Sequence, residues 1–235
     1  MENRYKIPIL YRDEHLIVVV KPVNLPVHKN DFMPNDAPYL TKLLGDITGK
    51  WILNVHRLDS KTSGIIVLAF SKEAAHELAL QFERKEVKKT YFAIVQDEPE
   101  EGTFDRKVLV KKKTKFKKPA ITHFRTIETV QTEISYKDKN NVKLSLVEIH
   151  PETGRWHQIR QHFAQHRCDI LGDTHHGDFT LNKIITELTG LKRLCLHAGK
   201  LEFKHPVIQK TLNFETAVPD DFNTLIEHFR RKSGI

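Results

Sequence analysis

The sequence predicts an α+β fold with a mixed, mostly antiparallel central sheet flanked by helices. Three observations carry this. Short β-branched runs of strand length outnumber stretches with helical spacing, they follow one another at hairpin-like distances, and no period of 20 to 50 residues marks a repeat array. No linker composition interrupts the chain, so a single domain over residues 1–235 is expected.

Leu16-Ile17-Val18-Val19-Val20 reads as a short apolar strand ending at Lys21-Pro22. Pro22, Pro26, Pro34 and Pro38 make the following stretch, to about residue 40, a loop. Ile65 to Phe70 is a second strand, preceded by the turn formers Thr62-Ser63-Gly64. Ser71 is placed to cap a helix whose buried face carries Ala75, Leu78, Ala79 and Phe82. Thr90 to Val95, Ala120 to Val130 and Val142 to Ile149 read as further strands, the last alternating Val142, Leu144 and Leu146. After the turn Pro151-Glu152-Thr153-Gly154, a helix is predicted from near Arg155, with Ile159 and Phe163 inward. Leu194 to Ala198 is another buried strand. A last helix from about Asp221 to Arg231 presents Phe222, Leu225, Ile226 and Phe229 on one face.

Charge and composition narrow the function. The net charge is +8, and eight basic residues fall between Arg106 and Lys118 with no acid between those ends. The surplus is therefore equivalent to one cluster, which includes Lys111, Lys112 and Lys113 and suits a polyanion such as a nucleic-acid backbone. A solvated lysine loop would have the same composition. No apolar stretch nears the ~20 residues that span a bilayer, and Met1 to Tyr5 leads into no signal region, so no membrane partner and a cytoplasmic location are expected. Cys168 and Cys195 form no spacing pattern and read as buried thiols of a reducing compartment.

The strongest local signal is His56-Arg57-Leu58-Asp59-Ser60-Lys61-Thr62-Ser63-Gly64. Asp59 lies in a loop delivered by a buried strand, and the cations Arg57 and Lys61 would favour its ionised form. Such a carboxylate can attack an electrophilic carbon or take a proton; it could equally be an ordinary surface ion pair. Pro151 to His162 packs Arg155, Arg160, His157, His162 and Trp156 together, and either arginine could pair with Asp59 or grip a phosphate. Tyr91 is a packing residue or a platform for a flipped base. His157, His162, His166, His175 and His176 crowd together, yet no His-Glu-x-x-His motif forms, so a metal-dependent hydrolase is disfavoured. Gly172 to Asp178 reads as a tight connection. No glycine-rich phosphate loop suggests a nucleotide cofactor.

These residues together resemble the RluA-type RNA pseudouridine synthases. The resemblance rests on the nine-residue signature and on four further stretches in the family's order: Tyr11 to Pro22, Lys88-Lys89-Thr90-Tyr91, Thr153 to Arg160 and Leu196-His197-Ala198. The matching pattern covers about residues 10 to 215. The resemblance implies one catalytic domain with its site in a central cleft, no metal and no cofactor, and RNA as partner. It further implies that Asp59 is the catalytic carboxylate with Arg57 beside it, that Tyr91 stacks on the target base, that Arg160 pairs with the carboxylate and that Leu196 forms an apolar wall. Arg155, His157, Lys111, Lys112 and Lys113 are expected to contact the substrate. Gly154 to Arg160, Gly172 to Asp178 and Lys118 to Phe124 are most similar to a tRNA-acting branch, so uridine 65 of tRNA is the expected target; a ribosomal RNA uridine, or RNA binding without catalysis, are the alternatives. Asn24 replaces a glycine usual in the family, a change that left-handed backbone tolerates. The pattern starts at residue 11, so no separate N-terminal RNA-binding domain and a monomer are expected.

Overall fold

The computed structural model describes residues 5–29, 33–111 and 115–232. In chain order the first elements are β1 (Ile9–Arg12), β2 (Leu16–Lys21), α1 (Leu40–Thr48), β3 (Leu53–Asn54), β4 (Ser63–Ala69), α2 (Lys72–Glu83) and β5 (Lys88–Gln96). There follow β6 (Gly102–Phe104), β7 (Val108–Leu109), β8 (Lys117–Lys118), β9 (Thr122–Gln131), β10 (Lys143–Pro151), α3 (Gln158–Gln165) and α4 (Phe179–Thr189). The chain closes with β11 (Leu196–Lys204), β12 (Thr211–Glu215) and α5 (Asp220–Lys232). The α+β class is as the sequence predicts.

Two compact units emerge: Met1–Lys89 with Ala198–Thr216, and Thr90–His197 with Ala217–Ile235. In the first unit, β2 pairs antiparallel with both β1 and β4, β3 pairs with β4, and β11 pairs with β12. All seven residues of β4 are buried, which explains why it reads as a continuous apolar run instead of an alternating one. Its core joins Leu16, Val18, Ile65, Val67, Leu78, Leu201 and Phe203. Ser71 caps α2 as expected, its hydroxyl accepting from the Ala74 N–H at 3.1 Å. The buried stripe of α2 differs from the expected one: Ala74, Leu78 and Gln81 face inward while Ala79 is exposed. Gln81 is drawn in because its amide bonds the Lys204 carbonyl and N–H, both at 2.9 Å. Asn24 adopts the left-handed conformation, φ 57°, which an asparagine tolerates.

In the second unit, β10 pairs antiparallel with β5 on one side and β9 on the other, and β6 extends β9. Its core joins Phe92, Ile94, Val147, Ile149, Phe163 and Leu196 with Phe222, Leu225, Ile226 and Phe229 of α5, the face predicted for that last helix. The third helix begins at Gln158, three residues after the expected start, because Thr153 to His157 form a hydrogen-bonded turn. The hairpin β7–β8 stands apart as a two-stranded sheet. Helices α1 and α4 were not expected from the sequence. Both thiols are free, Cys195 buried and Cys168 partly so.

Candidate active site

The signature loop belongs to the first unit. Asp59 is partly buried at the turn before β4, where the Thr62 N–H donates to its carbonyl at 3.0 Å. Three contacts hold this turn. Lys21, fully buried at the end of β2, donates its Nζ protons to the carbonyls of Pro22 at 2.8 Å, Leu25 at 2.9 Å and Ser60 at 3.1 Å. The ammonium thus staples the proline-rich loop to the residue after Asp59, and its burial is compensated because its protons find acceptors. Gly64 lies at φ 116°, and a Cβ there would meet the Ala198 oxygen at 2.2 Å; only glycine lets β4 approach that backbone. His56 accepts the Val67 N–H on Nε2 at 3.1 Å and stacks on Phe82 at 4.4 Å. Burial, with the charge of Lys89, pushes its pKa down to about 3, so the ring stays neutral and remains an acceptor. Arg57 is exposed and lies near His28, whose pKa is lowered by burial and by the Arg57 charge.

The second cluster belongs to the second unit and centres on α3. Arg160, 4% exposed, grips Asp173 with Nε at 2.7 Å and Nη2 at 2.8 Å, a bidentate charge-assisted pair. Its Nη1 meets His157 Nε2 at 2.9 Å. Burial would raise the Asp173 pKa; the Arg160 fork and the N–H groups of His175 and His176 outweigh it and hold the acid at about 2. Gly172 makes this turn possible, since at φ 73° a Cβ would fall 1.8 Å from the Arg193 oxygen. Gln158, also buried, accepts from Thr153 and the Arg155 N–H and donates to Ile121 and Thr122, locking the turn before α3 onto β9.

His162 and His166 take structural roles. His162 pairs Nδ1 with Thr122 and Nε2 with the Arg106 carbonyl, at 2.9 and 2.8 Å. His166 stacks on Phe104 at 3.9 Å. His157, His175 and His176 bring one ring nitrogen each within 4.8 Å, a spacing compatible with a metal. The chemistry of the set opposes one. Arg160 can only donate, so His157 Nε2 must hold a lone pair and its Nδ1 the proton, which points at His176 Nε2 at 3.0 Å. A metal on Nδ1 would displace that proton to Nε2, against the guanidinium. Burial, with Arg160 next, pushes the His157 pKa down to about 3.

Of the residues singled out by sequence, the structure joins Arg160 to His157, and sets Tyr91 against the same core cluster as Leu196, which is 3% exposed. Arg155 contributes its backbone to the turn while its side chain is exposed. Lys111 is exposed; Lys112 and Lys113 lie outside the described residues. Sequence reading missed Lys21, Gln158 and Asp173. Asp173 sits in the stretch taken for a plain connection, and its one legible signal was an acid directly after the apolar pair Ile170-Leu171 and a glycine.

A family model described as RNA pseudouridylate synthase matches residues 15–165. The chain is 35% identical over 231 residues to tRNA pseudouridine synthase C of Yersinia pestis, covering 94% of this chain and 90% of that one. It is 36% identical to the Pasteurella multocida protein of the same name, covering 94% and 95%. Among solved structures, human RNA pseudouridylate synthase domain containing 4 superposes with a TM-score of 0.71 at 27% identity, covering 95% and 93%. Human RNA pseudouridylate synthase domain containing 1 shares the fold, with a TM-score of 0.72 at 20% identity.

Proposed function

The chain belongs to the RNA pseudouridylate synthase family, and from that premise we propose that it isomerises one uridine of tRNA, at position 65, to pseudouridine. The relatives' shared name supports tRNA over ribosomal RNA. The reaction breaks the bond between the sugar C1′ and uracil N1, turns the base while it is held, and joins C1′ to C5; the C5 proton is lost and N1 gains one. The target nucleotide must first leave its stack, at a cost of a few kcal/mol.

In this reading Asp59 supplies the carboxylate on which the exchange depends, with Arg57 next to it in the signature. Tyr91 stacks on the flipped base and Leu196 forms the apolar wall. Arg160 is the cationic partner of the carboxylate. Its Nε and Nη2 grip Asp173 and its Nη1 meets His157, which fixes the plane of the guanidinium. Arg155, His157 and the lysines at 111 to 113 contact RNA. The chain acts as a monomeric single catalytic domain in the cytoplasm; among the described residues no helix is long and apolar enough to cross a membrane. The observation that supports the reading most is the immobilised signature turn, in which Lys21, His56 and Gly64 all fix the backbone around Asp59. Mapping pseudouridine in RNA from cells lacking the gene tests it: loss at uridine 65 of tRNA is expected, whereas loss at a ribosomal position with tRNA unchanged would overturn the substrate.

A further inference from the structure

We propose that Phe116 is a base-stacking platform for an unpaired RNA nucleotide, presented by the β7–β8 hairpin on the same rigid frame as Arg160. Phe116 is 61% exposed, immediately before β8. Lys115, Lys117 and Lys118 around it are exposed as well, as are Arg106 and Lys107 at the hairpin's base. At this exposure the ring leaves most of its apolar face to solvent, beside several cations. It matches what an unpaired nucleic-acid strand needs: a π-face for the base and positive charge along the phosphates. Charge complementarity selects RNA over a protein partner, because the sequence holds no acid from Arg106 to Lys118.

The position of the hairpin makes the proposal specific. Gln161 of α3 bonds the Leu109 N–H and carbonyl together, at 2.9 and 3.2 Å. His162 reaches the Arg106 carbonyl, and Arg106 Nη1 returns to the Gln165 carbonyl at 3.3 Å. Val108 is fully buried. These bonds fix the register of β7 against the helix that carries Arg160, so the base of the hairpin cannot slide along α3 without breaking them. The Val110 N–H bonds the Phe116 carbonyl at 3.2 Å, which ties the aromatic residue to that anchored strand. RNA seated on Phe116 would therefore be gripped at a set distance from the Arg160 cluster, and the stack would serve to register the substrate.

The inference rests on the RNA-modifying reading above, and its test separates the two. Phe116→Ala, Phe116→Leu and Phe116→Trp are assayed in the full chain with a tRNA transcript, for kcat, KM and salt dependence. Loss of one base stack predicts a KM raised roughly 5- to 100-fold in both Ala and Leu, with kcat and the salt slope kept and Trp close to wild type. Neutralising Lys115, Lys117 and Lys118 to Gln should instead flatten the salt slope. Phe116→Trp should also show RNA-dependent fluorescence quenching beyond the background of Trp51 and Trp156. A leucine variant as good as wild type, an unchanged alanine variant, or no added quenching would overturn the stack while wild-type turnover left the enzyme reading intact. A wild-type chain inactive on every RNA would overturn that reading instead.

Discussion

The turn around Asp59 and the turn around Asp173 each carry an aspartate next to buried cationic chemistry, yet they are held in different ways. The Asp59 turn is fixed through its backbone: Lys21 binds the Ser60 carbonyl, a neutral His56 receives the Val67 amide, and Gly64 slides under Ala198. The Asp173 turn is fixed through its own carboxylate, which takes the Arg160 fork and the amides of His175 and His176. A carboxylate consumed by structure in this way has little capacity left for chemistry. At Asp59 these contacts position the backbone on either side of the acid, through groups other than its own carboxylate. The difference separates a scaffold acid from a candidate catalytic one, although both sit in short polar turns beside apolar runs.

The contrast can be broken from either side. The largest stability loss is expected at Asp173→Ala, which strands a buried guanidinium: about 3–5 kcal/mol in urea unfolding, from the penalty of an uncompensated charge. A smaller but clear loss, about 1–3 kcal/mol, is expected for Gly64→Ala, since a side chain at φ 116° meets the Ala198 oxygen; thermal unfolding measures it, and activity should fall with it if the turn positions Asp59. A midpoint equal to wild type would show that β4 can move aside.

The smallest effect is in pH, and it distinguishes the regions by window. His56 is held neutral with its pKa near 3, below its unfolded value near 6.5, so the unfolded chain binds the proton first. Its contribution is present above pH 6.5 and is lost as pH falls toward 3. Asp173, lowered from 3.8 to about 2, contributes above about pH 4 and loses its contribution only below it. Replacing His56 by asparagine should flatten the decline of the urea midpoint between pH 7 and 4, and leave the decline below pH 4 in place. An identical slope in the variant would mean that His56 does not titrate in that range.

These two turns also show what the sequence could and could not convey. β2 and β4 were legible because burial on both faces makes them apolar throughout, and the α2 start was legible because Ser71 caps it with its own hydroxyl. Helix α1 was hidden because its N-cap, Tyr39, makes no side-chain cap bond and its first turn carries no acid. Helix α4 has a true cap in Asp178, but that residue lay at the end of a polar run read as a turn, and only Leu181 and Ile185 mark its buried face. Asp59 stood out through local spacing. Asp173 and Lys21 did not, because Arg160, which grips the first, and Ser60, which the second ties to the proline-rich loop, lie 13 and 39 residues away and only folding brings them together.

The most direct measurement is tritium release from RNA carrying 5-tritiated uridine, comparing wild type with Asp59→Asn at matched folded concentration. Isomerisation must expel the C5 hydrogen, so wild type should release tritium, and the amide variant should fall by about 10²–10⁴-fold or more, the range for a lost acid–base group. Release by Asp59→Asn at the wild-type rate would contradict the assignment of Asp59 as the carboxylate on which the reaction depends.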